Sequence, residues 1–263
     1  MVAAERAKRR PARASVWLAD KARRGGAARG GQPSGLDRDR IVATTVALLD
    51  AEGLARFSMR RLAAELNVTA MSVYWYVDTK DDLLELALDA VFGETGVPAA
   101  IPGDDEESTA DWRDQLRELA VDYRAVLVRH PWVSPLAGTF LNIGPNYLEF
   151  SFAVQRVIRR TGLPLSEQTA AISAVFQFVY GFGTIEGHFI ERCAAAGVSH
   201  DEYLSDAMAV VMQVPEISHV MEASKAIMEA RGGDTVAEMF ERDFSTALEI
   251  VIGGIEARVT AVG

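Results

Sequence analysis

The chain has 263 residues, 49% of them hydrophobic and 24% charged, with a net charge of −10 and one cysteine, Cys193. These figures exclude a wholly disordered chain, a fibrous repeat, a disulfide framework and a Cys-based zinc site, and they fit one large or two small domains in a reducing cytoplasm. The charge is uneven: residues 1–92 carry 15 Lys+Arg against 12 Asp+Glu, residues 93–263 carry 12 against 25, and residues 1–40 carry 11 against 4, so a front end suited to a polyanion precedes an acidic remainder.

Residues 1–35 are rich in Ala, Arg and Gly and end in a Gly-rich run. Such a segment buries too little apolar surface to offset its ordering entropy, which predicts a mobile basic tail. Its one apolar patch, Val16-Trp17-Leu18, is a candidate short helix or docking point. Asp20 and Lys21 interrupt that patch, against a secretory signal.

From Asp37 the pattern is helical. Ile41, Thr45, Leu48 and Leu49 share a face, and Gly53 stops the first helix after Glu52. Ser58 is a plausible N-cap for a second helix that reaches Leu66. After Asn67-Val68-Thr69, a third helix is expected over 70–77. Thr79 caps a fourth, with Asp81 and Asp82 in its first turn, where the helix dipole favours carboxylates. Residues 93–110, with Gly96, Pro98, Pro102, Gly103 and four consecutive acids, read as a linker. Further helices are expected over 111–129, 135–140, 145–161, 166–196, 201–214, 216–230 and 234–259. No run alternates as a strand, so the fold class is all-α. No apolar stretch approaches the ~20 residues of a membrane span.

The informative unit is 58–77: a helix, a three-residue turn and a shorter helix, which is helix-turn-helix spacing. Asn67 tolerates the left-handed backbone that such a turn needs. Val73 and Val77 lie four apart and face inward with Val68. Met71, Ser72 and Trp75 then lie opposite, with Tyr74 and Tyr76 on the flanks. A face so rich in Met and aromatic residues suits a DNA major groove better than water. Ala70 and Met71 can touch thymine methyls, Ser72 can bond a base or a phosphate, and the tyrosine hydroxyls can hold phosphates.

Residues 37–92 resemble the DNA-binding domain of the TetR/AcrR family of bacterial transcriptional regulators. The resemblance is carried by Arg60-Arg61-Leu62-Ala63-Ala64-Glu65-Leu66-Asn67-Val68, by Val73-Tyr74-Trp75-Tyr76-Val77, and by Lys80 before Leu83-Leu84. The chain departs from the pattern in having Asn67 where Gly is usual and Tyr76 where His or Phe is usual. The resemblance implies that Arg60 reaches a guanine edge and that Thr69, Ala70, Met71 and Ser72 open the recognition helix. It further implies that Tyr74 and Tyr76 contact the DNA backbone and that Lys80 binds a phosphate. Trp75 is divided between the DNA face and the core, and Arg61 is undecided between DNA and a solvated helix charge.

One such helix covers only a few base pairs, so a dimer is expected. The helices over 166–196 and 234–259 hold Gly181, Gly183, Gly187, Gly253 and Gly254. Five glycines inside helices suggest close approach of another backbone. Resemblance to the family adds that the last helices pair as a four-helix bundle. Residues 111–182 also resemble the ligand-binding domain of the tetracycline-repressor branch. Matching pocket positions are Leu119, Tyr123, Phe140, Phe152, Ile172 and Phe176, nearly all apolar, which implies a mostly hydrophobic effector. The stretches 90–97 and 133–139 hold no histidine, against magnesium-dependent tetracycline binding. None of His130, His188, His200 and His219 has metal-ligand spacing, and the pair His188 with Glu191 reads as a surface or interface contact. No catalytic motif is recognisable.

The resulting expectation is a cytoplasmic, homodimeric, effector-responsive repressor that needs no cofactor or metal, is no enzyme and touches no membrane. Its parts are a basic tail (1–35), a helix-turn-helix domain (36–92), a linker (93–110) and an effector-binding and dimerisation domain (111–263). The partner is a palindromic double-stranded operator. The alternative is a helical small-molecule carrier or enzyme with a vestigial DNA-binding domain.

Overall fold

The computed structural model describes residues 15–18, 36–97 and 110–262. The rest of the expected basic tail and residues 98–109 of the expected linker lie outside the described residues. Every regular element among the described residues is a helix. In chain order these are α1 (Arg38–Glu52), α2 (Met59–Glu65), α3 (Ala70–Tyr74), α4 (Lys80–Phe92), α5 (Trp112–Arg129), α6 (Val133–Ala137), α7 (Pro145–Arg159), α8 (Leu165–Ala196), α9 (His200–Val211), α10 (Pro215–Ala223), α11 (Lys225–Arg231) and α12 (Val236–Val262). Among the described residues no helix is long and apolar enough to cross a membrane.

The chain divides into two compact units. The first takes in Met1–Glu94 and Trp132–Glu149, and the second takes in Thr95–Pro131 and Phe150–Gly263. The front unit is thus larger than a domain ending at residue 92. Two polar contacts draw residues 132–149 into it. Trp132 donates its indole N–H to Asp50 at 2.6 Å. The Asp89 carboxylate accepts the Tyr147 N–H at 3.0 Å.

In the first unit, the side chains that start the helices are those chosen by capping chemistry. Asp37, Ser58, Thr69 and Thr79 each accept a backbone N–H from the first turn of the helix that follows. Thr79 and Asp82 form a reciprocal capping box. Ile41, Leu49, Leu62, Val73 and Leu83 are almost fully buried and form the common core of α1–α4. Asn67 sits at φ 56° between α2 and α3, the left-handed conformation that lets so short a turn reverse direction. The third helix is shorter than expected. Tyr76 donates its N–H to the Val73 carbonyl rather than four residues back, so the α-helical ladder tightens after Tyr74.

In the second unit, α5 and α8 pack closely. The glycines of α8 divide into two kinds. A Cβ on Gly187 would lie 2.9 Å from the Leu127 carbonyl oxygen, and one on Gly183 would lie 3.0 Å from Leu127 Cβ. These two therefore admit α5 of the same chain. Beside Gly181, Gly253 and Gly254 there is open space. Cys193 is almost fully buried. Residues 216–230, expected as one helix, form two. Ser224 adopts ψ −2° and its N–H is shared between the Val220 and Met221 carbonyls, which ends α10 before α11 begins.

Candidate nucleic-acid interface

The recognition element is built by burying one face of a short helix and exposing the other. Val73 is fully buried and Val77 nearly so. Around them Met71 is 70% exposed, Trp75 71% and Tyr74 42%. Trp75 therefore belongs to the outer face and not to the core. Ala70 and Ser72, on the first turn, are both half-buried. The Thr69 and Ser72 hydroxyls lie 2.9 Å apart, and the Ser72 N–H donates to Thr69 Oγ1 at 3.2 Å. This mutual bond fixes both hydroxyls at the front of α3.

Arg60 and Arg61 differ in surroundings. Arg61 reaches back to Glu52 on α1 and along α2 to Glu65, each at 2.8 Å. The two carboxylates raise its pKa above the usual guanidinium value. Arg61 is thus a brace between α1 and α2. Arg60 is exposed on the adjoining face of α2.

Tyr76 and Lys80 both have partners within the unit. The Tyr76 hydroxyl donates to the Leu36 carbonyl at 2.6 Å. Lys80 donates from Nζ to the Phe57 carbonyl at 2.8 Å, and its ammonium stands 5.3 Å from the centre of the Phe57 ring. An ammonium has three donors, so that bond leaves two for an anion.

Behind these groups α4 carries three buried acids on one face. Asp82 completes the capping box, and Glu85 and Asp89 follow three and seven residues later. Burial pushes the Asp89 carboxyl above the usual carboxylate range, against the opposing pull of its backbone donors Tyr147 and Asn146. Asp82 was marked by its place in the first turn of the helix, whereas nothing in the sequence pattern marked Glu85 and Asp89, because mid-helix carboxylates usually face water.

The expected effector residues are spread differently. Tyr123 and Phe176 belong to one ring cluster, with centroids 6.0 Å apart. Phe150 completes it at 5.7 Å from each. Phe150 was missed, although it shares the 3.6-residue periodicity of Val154 and Val157 on α7. Phe152 lies off that face and is 51% exposed. Leu119 is buried and Ile172 half-buried in the same unit, whereas Phe140 falls in the first unit. Deeper in α5, Arg124 forms a two-pronged pair with Glu186 at 2.7 and 3.0 Å and reaches Glu241 at 2.6 Å. Its guanidinium stacks 4.4 Å from the Phe244 ring centre. His188 and Glu191 are both exposed. Among the described residues no group of three His, Cys, Asp or Glu side chains is placed to hold a metal.

Comparison with known proteins bears on both units. Residues 41–87 match the family model for bacterial regulatory proteins of the tetR family, and residues 104–259 match the tetracyclin repressor-like C-terminal domain. An HTH-type transcriptional regulator of Saccharopolyspora erythraea is 42% identical over 146 residues, which span 56% of this chain and 59% of that relative's own length. The HTH-type transcriptional repressor DrrR1 of Streptomyces coeruleorubidus is 33% identical over 232 residues, spanning 88% of this chain and 81% of the relative. ActR of Streptomyces coelicolor resembles the chain in structure. Its apo form superposes with TM-score 0.64 at 26% identity, covering 88% of this chain and all of ActR. Its complex with actinorhodin gives 0.61 at 27%, covering 85% and 98%.

Proposed function

The chain belongs to the TetR family of bacterial regulatory proteins, and on that footing we propose that it is a homodimeric repressor whose α3 reads a palindromic operator. The observation that carries this reading is the two-faced α3. Its inner valines are sealed, and Met71, Tyr74 and Trp75 stand in water beside the exposed Arg60. Apolar and aromatic groups so placed match thymine methyls and the sugar–phosphate wall of a major groove. Arg60 reads a guanine edge. Thr69, Ala70 and Ser72 approach the bases from the first turn. Tyr74, Tyr76 and Lys80 contact phosphates, with Tyr76 and Lys80 held in place by their bonds to Leu36 and Phe57.

The dimer face is formed by α8 and α12. Ile185 and Ile250 are largely exposed on these helices, and Gly181, Gly253 and Gly254 leave room for another backbone. The effector is an apolar, ring-containing molecule received beside Tyr123, Phe150 and Phe176, with Leu119 and Ile172 adjoining. Effector and operator select different conformers of the dimer, so the effector releases the promoter. The structural relative solved with actinorhodin supports a small-molecule response.

The test is selection of random duplex DNA on the purified full-length protein at near-physiological salt. The expected product is an inverted repeat. Recovery of unenriched DNA would leave only non-specific charge, and recovery of none would favour a carrier or enzyme with a vestigial front domain.

A further inference from the structure

Residues 15–18 lie well before the region matched by the DNA-binding family model, which begins at residue 41. Yet they are built into the first unit. The Ser15 hydroxyl donates to Glu85 Oε1. The Val16 N–H donates to Glu85 Oε2 at 3.0 Å. Both oxygens of one carboxylate are thus taken by two consecutive residues. The segment is folded to make this bite: Trp17 donates its N–H back to Ser15 Oγ at 3.2 Å, and Leu18 donates to the Ser15 carbonyl at 3.0 Å. Val16 is 2% exposed and Glu85 5% exposed. A carboxylate buried to that degree is costly unless its oxygens are bonded, and the segment bonds both.

We propose that Ser15–Val16 is a clip that positions α4, and through it Lys80, for operator binding. The inference rests on the DNA-reading function proposed above. Glu85 lies five residues along α4 from Lys80, about 7.5 Å at the rise of an α-helix. Lys80 in turn holds the Phe57 carbonyl at the entrance to α2. The clip, the middle of α4, its phosphate-facing end and the entrance to the helix-turn-helix form one continuous chain of bonds. Removing the clip strips both of these hydrogen bonds from Glu85, at the centre of that chain.

A double-mutant cycle tests the clip by itself. Deleting residues 1–18 from the otherwise full chain is expected to lower the melting temperature by on the order of 5 °C. Glu85→Leu, which removes the buried charge at similar volume, should relieve most of that loss in the truncated chain while costing the full-length chain stability. Independent, additive effects of the two changes would overturn the pairing. Val16→Asp in the full-length chain serves if the truncated protein does not fold, and should reproduce the loss. The positioning role is read from DNA. Affinity for the selected operator should fall about tenfold on truncation, with base preference unchanged. Adding a peptide of residues 11–22 should restore it, and the same peptide with Val16→Asp should not. Equal rescue by both peptides would reduce the effect to basic charge and overturn the clip. If the full-length protein selects no operator at all, the DNA reading fails, and the melting cycle still judges the clip.

Discussion

The Asp89 carboxylate stands over the start of α7 as an N-terminal cap supplied by another helix, its Oδ1 accepting the Tyr147 N–H at 3.0 Å. The neighbouring Asn146 N–H points to Oδ2 at 3.4 Å, and the Asn146 side chain returns a bond to the Asp89 carbonyl. The approach is so close that a Cβ on Gly144 would overlap Oδ1, at 2.2 Å. Gly144→Ala should therefore expel the carboxylate and destabilise the first unit by about 1–3 kcal/mol, measurable by urea unfolding. An unchanged midpoint would mean that the cap is dispensable.

The same residue gives a pH test. Burial raises the Asp89 pKa above its unfolded value, so the folded state binds this proton more tightly than the unfolded state. Its ionisation therefore opposes folding at neutral pH, and that opposition fades as pH falls through the raised pKa. Asp89→Asn cannot titrate. The melting temperature of the wild type relative to Asp89→Asn should rise between pH 7 and pH 4. Glu249 and Glu167, lowered by Arg117 and Arg258, act with the opposite sign and lose their contribution as pH falls through their folded pKa. A flat difference curve would contradict the assignment to Asp89.

Three neighbouring cations should separate by role. Arg60→Ala is expected to relax preference at one operator position by about 1–3 kcal/mol. Lys80→Ala should weaken all duplexes about equally and flatten the salt dependence by roughly one phosphate contact. Arg61→Ala should leave base preference intact and loosen only the α1–α2 brace, with a small stability cost because the pair is open to solvent. Competition binding on a panel of single-base operator variants measures all three. A specificity change on Arg61→Ala would exchange the two arginines.

The glycines of α8 and α12 predict opposite responses to one methyl group. Gly187→Ala should destabilise the second unit, because the new Cβ would press on the Leu127 carbonyl, outweighing the ~1 kcal/mol gained in helix propensity. Gly253→Ala has free space in the single chain and should strengthen α12 while weakening self-association. Sedimentation and thermal melts together measure both. Dimers of undiminished affinity in Gly253→Ala would place the proposed interface elsewhere.

Arg124 is the buried charge on which the second unit depends. Arg124→Ala leaves Glu186 unpaired and should cost about 3–5 kcal/mol. Arg124→Met with Glu186→Leu should recover most of that loss, since an apolar pair of similar volume needs no partner. Chemical denaturation of the single and double variants reads the coupling directly. A double variant as unstable as Arg124→Ala would mean that packing of the guanidinium on Phe244 matters more than its charge.

What could be read from the chain alone follows local chemistry. The α1–α4 unit was legible because each start is a capping side chain, each core face keeps helical spacing and Asn67 marks the turn. The orientation of α3 followed from Val73 and Val77. What escaped were bonds between residues distant in sequence. Asp50 to Trp132, Asp89 to Tyr147 and Glu85 to Ser15 span 82, 58 and 70 positions. Periodicity carries no information about such pairs. Val16-Trp17-Leu18 stood out only as an apolar patch, and its partner was invisible because a lone glutamate gives no sign of burial. Phe152 comes from the resemblance of residues 111–182, whereas the place of Phe150 in the ring cluster follows from the helical face of α7.

Cys193 is the only thiol in the sequence, and it is 1% exposed. The protein is therefore ready for site-specific labelling without first being stripped of competing cysteines. One cysteine introduced at the exposed Ala51 on α1 would place a single spin or fluorescent reporter on each front unit. The separation of the two reporters in a dimer could then be followed directly as operator or effector is titrated in.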